Sequence, residues 1–193
     1  MGADLLPAII GRGDLERLGL SKHGLYALAK TGELEQIAPG YYMRPAELDD
    51  TTATWASIAL RKPSATICLL SALSLHDLTD EIPRASDIAL PRGERTLATR
   101  FTPIRWHSFD RDTFEIGRQH HQLTDDLTIG LYSAERTIID AYRMRHELGA
   151  DIANEALKRW LRRRGSTPSS LLELAKSFPK ALPGLRTALE ILL

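Results

Sequence analysis

Several groups of residues carry the types that chemistry needs, and spacing decides what each can do. His120-His121 with Asp125-Asp126 supplies metal-ligand side chains. They fall in a polar loop without the i, i+4 pairing that would bring ligands onto one helix face. Asp110-Arg111-Asp112 has the paired aspartates with which nucleotidyltransferases hold two metal ions on a nucleotide phosphate, but no Gly-Ser turn precedes it. A nuclease of the Asp…Glu-x-Lys type is excluded because Glu-x-Lys occurs nowhere, and neither a Gly-rich phosphate loop nor a Ser/His/Asp signature is visible. Cys68, the sole cysteine, sits in the apolar run Ile67 to Leu70, which suits an inert buried thiol and rules out an internal disulfide. No catalytic residue, metal site or cofactor is expected.

Binding chemistry is better represented. Lys22, Tyr26 and Lys30 recur at four-residue spacing, so a helix there turns two cations and a phenol to one side, the combination a DNA major groove would meet. Leu25, Leu28 and Ala29 then form another, buried stripe. Ser21 is placed to cap this helix and Gly32 to end it in a left-handed conformation. Upstream, Asp14 to Leu18 predicts a short helix with Leu15 and Leu18 on one side, broken by Gly19, so that two helices are joined by a tight turn. Downstream, Leu34 to Ile37 and Tyr41 to Met43 flank Pro39-Gly40, a hairpin of the winged type. Asp4 to Gly11, with Leu5, Leu6, Ile9 and Ile10, predicts a further helix that completes a three-helix core. A short amphipathic helix pair with a hairpin also occurs in domains that touch no nucleic acid, with the lysines merely solvated and the hairpin tyrosines in the core.

The chain has 193 residues, 43% of them hydrophobic, enough for two small domains or one medium one with a real core. Lys and Arg number 25 and Asp and Glu 25, so no global field steers the protein toward DNA or anionic membranes, and any nucleic-acid site must be a local patch. The start, MGADLLPAIIGRG, is too short and acidic for a signal peptide, and no apolar run reaches the length of a membrane span, which leads us to expect a cytoplasmic protein without membrane contact.

Beyond Pro45, Asp49 to Thr52 offer N-caps for a helix to about Leu60, and Ala65 to Leu78 predicts a buried helix ending near His76, a residue that suits a structural role better than a ligand's. Ile88 to Pro91, Pro103 to Phe109, Phe114 to Ile116 and Leu127 to Leu131 are strand candidates for a small mixed sheet. Ser133 caps a helix whose stripe is Ile138, Ile139 and Tyr142, with Glu135, Arg136 and Asp140 as either a buried polar cluster or a helix-start ion pair. Asp151 to Arg164 predicts a helix ending in Lys158, Arg159, Arg162, Arg163 and Arg164, the densest charge in the chain. That cluster reads either as a solvated helix C-terminus or as a contact for nucleic acid or an acidic toxin surface. Ser169 or Ser170 starts a helix through about Phe178, and an apolar last helix follows Pro183-Gly184.

Leu15-x-x-Leu18-Gly19-Leu20-Ser21, then Leu25, Leu28, Gly32-Glu33-Leu34 and Gly40-Tyr41-Tyr42, resemble the N-terminal winged helix of AbiEi-type antitoxins. Ser71-Ala72-x-x-Leu75-His76-x-Leu78 and Ser133 to Asp140 are similar to two further stretches of that family, with Asp77 standing where a glycine is usual. The resemblance implies an α+β protein: a winged helix-turn-helix over residues 1–45, then a mostly helical α/β antitoxin domain with a small sheet over 46–193. It implies an antitoxin that binds repeats in its own promoter, with self-association on DNA doubling the contacts, and that counters an AbiEii-type nucleotidyltransferase toxin. Ser21, Lys22, His23, Tyr26 and Lys30 would read or anchor DNA, with Tyr41, Tyr42 and Arg44 at the wing. The alternative is a stand-alone winged-helix transcription regulator whose C-terminal domain senses a ligand.

Overall fold

Ile9, Ile10, Tyr41, Tyr42 and Met43 are apolar without interruption, so a strand made of them must bury both faces. In the computed structural model, which describes residues 7–193, they do so. β1 (Ile9–Gly11), β2 (Glu35–Ala38) and β3 (Tyr41–Met43) form an antiparallel sheet of order β1-β3-β2, with Ile10 opposite Tyr42 and Ile9 opposite Met43. On one face Ile10 and Tyr42 pack with Leu25, Leu28 and Ala29 of α1 (Lys22–Thr31). On the other, Ile37 and Met43 pack with Ala53 and Ala56 of α2 (Asp50–Ala59). The period of two places neighbouring residues in different cores, and each helix covers one side.

The helix expected over Asp4 to Gly11 is therefore a correction: residues 4–6 lie outside the described part, and Ile9–Gly11 is strand. Two β-branched residues bounded by Gly11 fit the pleat better than a helix. Asp14 to Leu18 is likewise not a full helix. Arg12–Asp14 is a 3-10 turn, and one helical turn follows, closed by the Leu18 N–H on the Asp14 carbonyl at 2.9 Å. So short a segment between Gly13 and Gly19 cannot repay helix nucleation. The second helix forms as expected: the Ser21 hydroxyl accepts the Gly24 N–H at 3.0 Å, and Gly32, at φ 82°, ends the helix in the left-handed region.

By contacts the chain divides into two units. One holds the residues up to Pro63 with Leu97–Pro103 and Gln122–Ile129; the other holds Ser64–Thr96, Ile104–His121 and Gly130–Leu193. The first unit includes α2.

At the start of α2 the Asp49 carboxylate accepts the Thr51 and Thr52 N–H groups at 2.9 and 3.0 Å and the Thr52 hydroxyl at 2.6 Å. The Thr52 hydroxyl bond, then the backbone bonds, hold its pKa below the ordinary value. A depressed folded-state pKa contributes stability above the unfolded value and loses it as pH falls through the folded one. Asp49→Ala is expected to cost about 1 kcal/mol near neutrality, and the gap from wild type should narrow as pH falls through the depressed value. Urea midpoints of both proteins across a pH series check this; a gap that widens in acid would contradict it.

A five-stranded mixed sheet has the order β6-β5-β4-β8-β7 and is made of β4 (Thr66–Ile67), β5 (Ser86–Pro91), β6 (Ile104–Phe109), β7 (Arg118–Thr124) and β8 (Leu127–Tyr132). β4 runs antiparallel to β5 and parallel to β8, and β5 runs parallel to β6. Helices follow: α3 (Leu69–Leu75), α4 (Arg111–Phe114), α5 (Ala134–Arg143), α6 (Arg145–Leu148), α7 (Ala150–Leu161), α8 (Pro168–Ala175) and α9 (Leu182–Leu192). Ile138, Ile139 and Tyr142 of α5 pack with Leu157 and Trp160 of α7, Leu171 of α8 and Leu185 of α9.

Two more expectations are corrected here. Ala65 to Leu78 is not one helix: β-branched Thr66 and Ile67 join the sheet, and α3 begins only after Cys68. Phe114 to Ile116 is not a strand, because the Asp110 carboxylate caps α4 by accepting the Asp112 N–H at 3.1 Å, and the strand starts at Arg118. Among the described residues no helix is long and apolar enough to cross a membrane.

Candidate nucleic-acid interface

The outer face of α1 begins at Ser21, whose cap aims the first turn. Lys22, His23, Tyr26 and Lys30 are all exposed, and the helix carries no acidic residue. Lys22 Nζ stands 5.8 Å from the centre of the Tyr26 ring, and that ring meets Tyr42 edge-on at 6.5 Å. Tyr42 itself is only 5% exposed. It supports Tyr26 from the core, the second of the two places that the sequence leaves open for the hairpin tyrosines: its side chain takes the α1 side of the sheet, where the core is. Tyr41 is half-buried, its ring against Gly11, where an added Cβ would stand 2.9 Å from Cε1. Arg44 is tied to Glu47, with Nε and Nη2 at 2.8 and 2.7 Å from the same carboxylate oxygen.

The neutral composition of this module resolves into a local asymmetry. The Asp14 carboxylate accepts the Gly11 N–H and an Arg17 N–H, each at 2.9 Å, and these bonds lower its pKa, the backbone one most. With Asp14 and Glu47 both engaged by arginines, the lysines of α1 make no ion pair among the described residues.

Between α1 and the hairpin lies a cavity of about 610 Å³, lined among others by Arg12, Tyr26, Gln36, Gly40, Tyr41 and Tyr42. Arg12 and Gln36 were not singled out from sequence. Gln36 had a readable signal, since it stands opposite Tyr42 in the register and shares its face of the sheet. Arg12 had none, because its place depends on a turn across the chain.

In the second unit the five cations at the end of α7 are not equivalent. Arg159 bonds Asp80 with both terminal nitrogens and Glu155 with Nε at 2.9 Å, and Arg163 donates to the His76 carbonyl. Lys158, Arg162 and Arg164 are exposed and make no ion pair among the described residues. His76 Nε2 lies 2.7 Å from the Tyr132 carbonyl, which fits the structural role expected of it. Asp87 on β5, 1% exposed, holds His107 at 2.8 Å, and Asp140 on α5 is fully buried beside Arg136. Glu135 does not join that pair, but accepts the Trp160 indole N–H at 3.1 Å. Among the described residues no group of three or more His, Cys, Asp or Glu is arranged to hold a metal ion.

The class that these features define is an α+β protein of small sheets and many helices, whose N-terminal unit exposes a cationic, capped helix beside a β-hairpin. Residues 7–45 match the family model described as "Transcriptional regulator, AbiEi antitoxin", so the expected resemblance holds for that module and supports an antitoxin and regulator role. The fold as a whole is similar to the crystal structure of RV2827C protein from Mycobacterium tuberculosis, with a TM-score of 0.52 and 15% identity over 95% of this chain and 76% of that one. At that identity the likeness is one of fold. No curated protein matches the chain.

Proposed function

We propose that the N-terminal module is a winged helix that lays α1 in the major groove of promoter DNA, with β2 and β3 as the wing. The chain then acts in the cytoplasm as an antitoxin that represses its own operon and counters a nucleotidyltransferase-like toxin. The observation that carries this is the uncovered face of Lys22, Tyr26 and Lys30 on a helix without acidic residues, in the segment that matches the regulator family. Ser21 and His23 are exposed at the start of that helix, Tyr41 and Arg44 would serve at the wing, and Tyr42 positions Tyr26. Residues 1–45 would read DNA and 46–193 would meet the toxin, with Lys158, Arg162 and Arg164 as the cations offered to an acidic surface. Arg159 and Arg163 support that patch from their ion pair and carbonyl contact. Pairing of two copies on repeated sequence would double the phosphate contacts.

Electrophoretic mobility shifts with duplex from upstream of the gene test the DNA reading. Lys22→Ala should weaken binding on all sequences and reduce the salt slope by about 1, whereas loss of a base contact by Tyr26→Ala should cost about 1–3 kcal/mol at one base pair. Wild-type binding by both variants would overturn it. Co-purification with the neighbouring toxin, with and without Arg162→Glu and Arg164→Glu, tests the second half.

A further inference from the structure

A wing that grips DNA needs a donor for phosphate, and the hairpin Glu35 to Met43 contains neither lysine nor arginine. The fold brings one from elsewhere. Arg12, in the 3-10 turn after β1, extends its side chain along the hairpin turn: a Cβ added at Gly40 would stand 3.5 Å from Arg12 Nε, 3.8 Å from Cδ and 3.9 Å from Cγ. Arg12 is exposed and makes no ion pair among the described residues, although Asp14 is two residues away, because that carboxylate is already engaged by Gly11 and Arg17. Arg12 and Tyr26 of α1 both line the cavity of about 610 Å³, so the guanidinium and the face of α1 border one concavity.

We propose that Arg12 is the wing's phosphate contact: when α1 occupies the major groove, its guanidinium takes a backbone phosphate beside the hairpin turn. This rests on the DNA reading above. A planar fork suits a phosphate bidentately, and its position on a turn fixed by β1 pairing with β3 gives it a defined reach. Such a contact anchors without reading sequence.

The test uses the full chain, duplex from upstream of its gene and an unrelated duplex of equal length, titrated across salt. Arg12→Ala should weaken binding to both duplexes by the same factor and lower the salt slope by about 1, so that its deficit shrinks about fourfold between roughly 50 and 200 mM salt. Arg12→Lys, which keeps the charge, should restore the slope but not the full affinity. Circular dichroism melts of the variants should match wild type, since the side chain is exposed; Arg12→Gln, which keeps the stem, replaces Arg12→Ala if that variant melts early. If Lys22→Ala loses affinity and slope while the Arg12 variants do not, the assignment of Arg12 is wrong and the DNA reading stands. If neither does, the DNA reading itself fails.

Discussion

Arg136→Ala should lower unfolding stability by about 3–5 kcal/mol, the cost of leaving one member of a buried ion pair alone. Arg136 is fully buried on α5. Its Nε donates to Asp140 Oδ2 at 3.0 Å, and its Nη1 donates to the Thr113 carbonyl at 2.8 Å and to that of Ile116. The guanidinium carbon lies 4.2 Å from the ring centres of both Tyr132 and Phe178, so one cation joins the end of β8, the loop after α4 and the chain after α8. Truncation strands the Asp140 carboxylate, which burial already pushes above its ordinary pKa and which Arg136 and then Arg143 draw back. Arg143 remains, with Nη2 3.0 Å from Oδ1, but without the alignment of a hydrogen bond. Lysine should not rescue, since an ammonium cannot lie flat between two rings while serving two carbonyls. Replacing the whole cluster together, Arg136→Met with Asp140→Leu and Arg143→Met, should cost less than Arg136→Ala alone, because no charge is then left unpaired. Urea unfolding of the three variants measures this. A loss under about 1 kcal/mol for Arg136→Ala would show that the clamp is not holding the unit together.

What the sequence revealed follows from how far apart the deciding residues are. Ser21, Leu25 and Gly32 lie within one helix, and cap, stripe and terminator could be read locally; the structure has all three. The hairpin around Pro39-Gly40 was equally local. Leu5, Leu6, Ile9 and Ile10 also satisfy helical spacing, and only pairing with β3, more than a helix length away, settles Ile9–Gly11 as strand. Tyr41 and Tyr42 are neighbours, so a strand must send one to each face, but which face holds α1 is a tertiary fact. Thr66–Ile67 is too brief a strand to interrupt the apolar run that hides it. For Arg136 the sequence leaves a buried polar cluster and a helix-start ion pair both open; its burial depends on Tyr132 and Phe178, brought in by separate elements. The candidate interface behaves the same way, with the face of α1 legible and Arg12 visible only once β1 has been placed beside the hairpin.

The close fit around Arg136 also depends on an absent side chain, and Gly117→Ala is the second large effect we expect. Gly117 has φ 72°, and a Cβ there would stand 2.6 Å from Arg136 Cβ and 3.2 Å from its Cγ. The left-handed backbone alone costs an alanine about 1–2 kcal/mol. Overpacking adds about 1–3 kcal/mol, and here the neighbour is a helix-borne Cβ that has little room to move. Any relief by backbone shift is costly in turn, because the Gly117 carbonyl accepts the Ser133 N–H at 2.8 Å at the cap of α5, and the adjacent Ile116 carbonyl accepts from Arg136. Gly117→Ala should therefore destabilise by about 2–5 kcal/mol. The cost should persist in an Arg136→Ala background, where the clashing Cβ remains, and fall in an Arg136→Gly background, where it is gone. Denaturant unfolding of the single and double variants separates the two contributions: relief by Arg136→Ala as complete as by Arg136→Gly would mean that the guanidinium stem, not the Cβ, sets the limit.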